Sequence, residues 1–73
     1  MQFALENHEF IELCNLLKVT NLCETGGHAK IVISNGEVKV DGEIETRKRC
    51  KIRPGQVIEF QGETITVIKG ENS

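Results

Sequence analysis

Arg47, Lys48, Arg49, Lys51 and Arg53 place five cations within seven positions, and no acid interrupts them. The whole chain carries nine Lys and Arg against eleven Asp and Glu, a formal charge of -2. Dense positive charge on an acidic chain makes a local anion-binding surface, and nucleic acid is the polyanion it suits best. Arg47, Arg49 and Arg53 are suited to bidentate phosphate contacts, while Lys48 and Lys51 act as point charges. The charge is also divided along the chain. Residues 28–53 hold seven basic and four acidic residues, net +3, whereas residues 1–27 sum to -3 and residues 54–73 to -2. If the cations share a face, each phosphate they neutralise releases condensed counterions. A plainer reading stands beside this one. In an extended segment Arg47, Arg49, Lys51 and Arg53 point one way and Lys48 the other, as a solvated edge that resists aggregation or pairs with Glu43, Glu45 or Glu59.

Other chemistries find little support. The acids are scattered, no Ser–His–Asp or Cys–His set is suggested, and the phosphate-loop and dinucleotide fingerprints are absent, so no catalytic residue is expected. Cys14, Cys23 and Cys50 form no pattern with His8 and His28 at metal-ligand spacing, so no metal or other cofactor is expected. An odd cysteine count without paired spacing argues against a disulfide framework and for a reducing, cytoplasmic setting. Cys50, flanked by cations, is a candidate for a lowered thiol pKa. No signal peptide is legible at the N-terminus, and no segment approaches the roughly 20 apolar residues of a membrane span. Phe3, Phe10 and Phe60 are the only aromatic residues. Without exposed rings there is no stacking platform, so recognition should rest on phosphates, 2′-hydroxyls and the shape of structured RNA.

Seventy-three residues make one domain, 1–73, whose stability is expected to be a few kcal/mol. Met1 to Leu5 suits a short strand. Residues 8–18 read as an amphipathic helix, with Phe10, Leu13, Cys14 and Leu17 on one stripe and Asn7 as N-cap. Lys18 sits at the end where the helix dipole favours a cation. In Thr25 to Asn35 local propensity and flanks disagree. Ile31, Val32 and Ile33 favour strand, but Thr25 can cap a helix, Asn35-Gly36 can stop one, and Ala29, Val32 and Ile33 share one helical face. Helix is the better reading. From Glu37 the apolar period becomes two. Asp41-Gly42 suits a hairpin turn, Ile44 begins a return strand, and Arg53-Pro54-Gly55-Gln56 fits a type II turn. Val57, Ile58 and Phe60 make another strand, Gln61-Gly62-Glu63 turns it, and Ile65 to Ile68 make the last. Gly70 to Ser73 reads as a frayed tail. These elements give an α+β fold, two helices packed against a small, mostly antiparallel sheet.

The run Gly26-Gly27-His28-Ala29-Lys30, then Ile33-x-x-Gly36-x-Val38-x-Val40-Asp41-Gly42, then Arg47-x-x-x-Lys51-Ile52-x-x-Gly55-x-x-Ile58, resembles the S-four RNA-binding domain. The likeness runs from about residue 10 to residue 60, and the short ends resemble stand-alone bacterial members of the YbcJ type. The resemblance implies an alpha-L RNA-binding motif, in which two helices lead into a compact sheet. It also implies a non-catalytic role on structured RNA, rRNA or tRNA-like, with a possible ribonucleoprotein or accessory protein partner and no membrane. The basic surface would be shared by the second helix and the strand that follows the hairpin: Gly27, His28, Lys30, Arg47, Lys48, Arg49, Lys51 and Arg53. The chain departs from the family at Gly26-Gly27, where Ser-Arg is common, and His28 and Lys30 stand close enough to compensate. Gly55 is followed by Gln56 rather than the usual acid. A helix N-terminus with two glycines leaves backbone N–H groups open to a phosphate. Two other functions fit less well. One is an adaptor docking an acidic protein through the same face. The other is a sulfur carrier, which would end in Gly-Gly, whereas this chain ends Lys69-Gly70-Glu71-Asn72-Ser73.

Overall fold

A computed structural model describes residues 1–6 and 8–70. Its elements in chain order are β1 (Gln2–Ala4), β2 (Ile11–Glu12), α1 (Leu13–Val19), α2 (Gly26–Ser34), β3 (Val38–Val40), β4 (Glu43–Ile44), β5 (Lys51–Ile52), β6 (Val57–Phe60) and β7 (Glu63–Ile68). Five strands form one sheet in the order β1-β7-β6-β3-β4, antiparallel except where β1 runs parallel to β7. β2 and β5 form a separate antiparallel pair.

The period-two segments become strands because alternation buries one face. Val38, Val40, Ile58, Phe60, Ile65 and Val67 are buried, while Lys39 and Glu59 are exposed on the other side. Two-residue turns link the hairpins. Asp41-Gly42 has φ of 53° and 87°, and Gln61-Gly62 has 52° and 81°. Two positive φ values in succession define the turn whose twist matches paired strands. The second hairpin is tighter than the sequence suggests, since Glu63 already belongs to β7 and pairs with Phe60. Gly55, at φ 96°, completes the turn after Pro54, and the Gln56 N–H donates to the Arg53 carbonyl at 3.3 Å.

The second helix forms where flanks outweigh β-propensity. The Thr25 hydroxyl oxygen accepts the His28 N–H at 3.0 Å, satisfying one of the donors that open a helix. At the far end Gly36 takes φ 77°, and the N–H groups of Gly36 and Glu37 donate to the Ile33 and Val32 carbonyls. This left-handed stop matches the Schellman pattern. Ala29, Val32 and Ile33 enter the core, and Ile31 faces out.

The first helix differs from the expectation for residues 8–18. Helix begins only at Leu13, because Ile11 and Glu12 pair with Ile52 and Lys51 as strand. Leu13, Cys14 and Leu17 are buried as the stripe predicts, but Phe10 lies outside the helix and is half-buried. The Asn7 cap falls outside the described residues. No side chain caps α1; instead the N–H groups of Leu13 and Cys14 donate to the carbonyls of Cys50 and Lys48 at 2.9 and 3.1 Å. Asn21, at φ 64°, ends this helix in the role Gly36 plays for α2.

Leu13, Leu16, Leu17, Ile33, Ile52, Ile58, Ile65 and Val67 are fully buried in one core shared by helices and sheet. Of the expected tail, residues 71–73 lie outside the described residues. Gly70 is half-buried, and a β-carbon there would collide with the Glu6 backbone.

Candidate nucleic-acid interface

The basic segment is mostly a turn, not the strand its row of cations suggests. Only Lys51 and Ile52 pair as strand, and residues 47–50 close a turn in which the Cys50 N–H donates to the Arg47 carbonyl at 3.3 Å. The reason lies in α1. Its first N–H groups take the Lys48 and Cys50 carbonyls, which draws the loop backbone inward over the helix start. Ile52 then anchors the segment in the core. With backbone and apolar side chain held inside, Arg47, Lys48, Arg49, Lys51 and Arg53 are all left exposed.

Two of these arginines already hold carboxylates. Arg47 donates through Nε to Glu45 Oε2 at 2.9 Å and through Nη2 to Oε1 at 3.1 Å, and its backbone N–H also reaches Oε2 at 2.9 Å. These hydrogen bonds from the Arg47 side chain and backbone lower the Glu45 pKa to about 2. Arg49 Nε donates to Glu12 Oε2 at 3.2 Å. Both guanidinium side chains remain about three-quarters exposed, at 76% and 77%. Such pairs are solvent-screened and exchangeable, so another oxyanion can take the place of the carboxylate.

Arg49 connects the loop to the helices. It lines one hollow with Arg47, Cys50 and Lys51, and a second with Lys18, Gly26 and Lys30. Arg49 from the loop, Lys18 from the end of α1 and Lys30 from α2 therefore line one hollow beside the start of α2, with the Glu12 carboxylate among them. In the sequence Lys18 stands out only as a helix-dipole residue. Nothing in its spacing shows that the fold brings it to the same hollow as Lys30. Gly26 and Gly27 are not required by packing. A β-carbon at Gly26 would meet nothing within 4 Å, and one at Gly27 only the Thr25 hydroxyl at 3.8 Å. Gly27 and His28 are exposed on the first turn of α2, outside both hollows, and Lys48 is exposed at the loop turn.

Lys51 and Arg53 lie over the Phe10 ring, 5.0 and 5.7 Å from its centroid. The aromatic residues are thus not uniformly hidden. Phe60 is buried, but Phe3 and Phe10 are half-buried and line one groove. The lowered thiol pKa considered for Cys50 is reversed. Burial pushes this thiol up, and the Glu45 carboxylate adds to the rise, outweighing the nearby Arg47 charge.

Comparison with known proteins identifies the family and supports the fold. The S4 domain family matches residues 3–68. The chain belongs to the S4 domain family. This is an RNA-binding family, not an enzyme family. The Escherichia coli (strain K12) protein named "Putative RNA-binding protein YbcJ" is 52% identical over 66 residues, covering 90% of this chain and 94% of that one. A Bacillus subtilis (strain 168) relative named "Probable ribosome maturation protein RlbA" is 37% identical over 54 residues, covering 74% of this chain and 76% of its own. The solution structure of E. coli YbcJ, described as an alfaL motif involved in RNA binding, aligns with a TM-score of 0.71 at 51% identity. That alignment covers 92% of this chain and 85% of the YbcJ chain. The S4 match spans both helices and the basic loop, and the described fold is the α+β arrangement expected from sequence. No helix among the described residues is long and apolar enough to cross a membrane.

Proposed function

We propose that this chain binds structured RNA, of the rRNA or tRNA-like kind, without catalysing a reaction on it. Arg47, Arg49, Lys51 and Arg53 contact phosphates from the loop, Lys30 and Lys18 from the helices, and Gly27 and His28 flank the N-terminus of α2. Lys48 extends the field at the loop turn. The observation that carries this reading is the position of Arg49. It lines the loop hollow and the Lys18–Lys30 hollow at once, which supports a surface drawn from three segments on a chain of net charge -2. A surface of this kind follows the spacing of phosphates and 2′-hydroxyls along a folded RNA. The name of the E. coli relative supports RNA as the ligand class, and that of the B. subtilis relative supports a link to ribosome maturation.

The test is an NMR titration with an RNA hairpin at two salt concentrations. Salt-sensitive shifts at Gly27–Lys30 and Arg47–Arg53 are expected, with Lys18 included. They should vanish when Arg47, Arg49 and Lys51 are all changed to Glu in a protein that keeps its fold. Shifts absent even at low salt would defeat the reading. A second reading is an adaptor docking an acidic protein, since Glu45 and Glu12 show that carboxylates fit these arginines. Saturable binding of an acidic protein without binding of RNA would favour it.

A further inference from the structure

Beside the cationic surface lies an open groove of about 600 Å³, within the range of roughly 300–1,000 Å³ common for small-molecule sites. Phe3, Phe10 and Ile11 give it apolar walls, and Glu6, His8, Glu12 and Asn15 give it polar edges. Glu12 and Asn15 also line the hollow that contains Lys18, Lys30 and Arg49, so groove and cationic surface are continuous. Phe10 makes a second connection, because its ring lines the groove and carries Lys51 and Arg53 over it.

We infer that this groove receives one unpaired nucleobase of the bound RNA, guanine in preference to the others. The inference rests on the RNA-binding reading above and extends it to a base-specific contact. Apolar walls with two aromatic rings suit a flat heterocycle, for which stacking on a side-chain ring is the common mode of capture. The two cations at Phe10 stand where the phosphodiester of an extruded nucleotide needs neutralising. A plain apolar peptide has no use for that charge. The edge groups select the base. A carboxylate only accepts hydrogen bonds, and the guanine edge presents two adjacent donors, N1–H and N2–H2. Glu12 now holds Arg49 at 3.2 Å. An RNA phosphate that takes Arg49 frees the Glu12 carboxylate for the base, which couples backbone binding to base capture. The Asn15 amide, exposed on α1, offers both donor and acceptor to the same ligand.

The test compares three RNA hairpins by fluorescence anisotropy on the full chain: fully paired, with one bulged guanine, and with one bulged uridine. The bulged-guanine hairpin should bind on the order of tenfold more tightly than the paired one, with the uridine hairpin between them. In Phe10→Leu and in Asn15→Ala the guanine-to-paired ratio should fall toward one. Should Phe10→Leu unfold, Asn15→Ala and direct guanine-to-Phe10 proton contacts by NMR in the unaltered protein still decide. A ratio near one in the unaltered protein overturns the groove while paired-hairpin binding upholds the RNA reading. Failure of all three hairpins to bind overturns both. Groove resonances that move with protein concentration in the absence of RNA would assign the groove to a second copy instead, and overturn it as well.

Discussion

The start of α2 and the basic loop contribute to the same surface but are held in opposite ways. α2 is positioned by its own neighbours: Thr25 caps it three residues from His28, and Gly36 closes it two residues after Ser34. The loop is positioned by distant residues. Its Lys48 and Cys50 carbonyls reach back to Cys14 and Leu13, Ile52 is buried in the core, and Arg49 reaches Glu12 across 37 positions of sequence. One binding face can thus combine a preformed helix end with a loop whose shape exists only once the domain has folded. The loop should therefore be the part that local damage to the core disturbs first.

The sharpest break between the two regions is Ile52→Ala. Ile52 is fully buried and anchors the loop, so the truncation should cost about 2–5 kcal/mol. On a domain this small that is most of the stability, and denaturant unfolding should show a large fall in midpoint. Hydrogen exchange should open the Leu13 and Cys14 amides early, since their acceptors lie in the loop. If the α2 amides open first, the loop is not the more dependent of the two regions. Thr25→Ala acts on the other side. It removes the cap and should cost about 1 kcal/mol, with faster exchange at His28 and little change in the loop.

Binding separates the regions more finely. Reversing Arg49 alone should weaken RNA binding more than reversing Lys18 or Lys30, because Arg49 serves both hollows. Removing one phosphate-neutralising cation should reduce the salt slope by about 1, as read from affinities at several ionic strengths. In the opposite direction, Gly27→Arg adds a cation at the helix start, where a β-carbon would meet only the Thr25 hydroxyl at 3.8 Å. It should raise affinity several-fold and steepen the salt slope by about 1. No gain would mean that RNA does not reach this end of α2.

The smallest effect is the pH response of the loop. The Glu45 pKa is lowered to about 2 in the folded chain, from an ordinary 4.5. A depressed carboxyl pKa contributes stability that is present above the unfolded value and lost as pH falls through the folded one. The Arg47 hydrogen bonds should thus persist through neutral and mildly acidic pH and give way between about 4.5 and 2. The Glu45 carboxyl chemical shift should report that midpoint, and Glu45→Gln should remove this part of the acid dependence.

Much of the architecture is legible in the sequence because its causes are local. The period of two from Glu37 onward, Asp41-Gly42, Pro54-Gly55, the Thr25 cap and the Asn35-Gly36 stop all act within a few residues. They identify the hairpin, the turns and α2, including the helix that the β-propensity of Ile31, Val32 and Ile33 argues against. The start of α1 is not legible, since Phe10 fits the helical stripe but the Ile11–Glu12 backbone is claimed by β5, some 40 residues away. The segment between Arg47 and Cys50 reads as extended and folds as a turn for the same reason.

By itself the sequence determined the composition of the surface, the five clustered cations, and the local signals for turns, cap and stop. Only the tertiary structure decided which charges meet. It brought Lys18 and Lys30 to one hollow, gave Arg49 two hollows to line, paired Arg49 with Glu12 across 37 positions, and set Phe10 beneath Lys51 and Arg53. The physical reason is range. Backbone conformation at a turn or cap is set by nearest neighbours, whereas the position of an exposed side chain depends on where buried residues such as Ile52 and Leu13 anchor its backbone in the shared core.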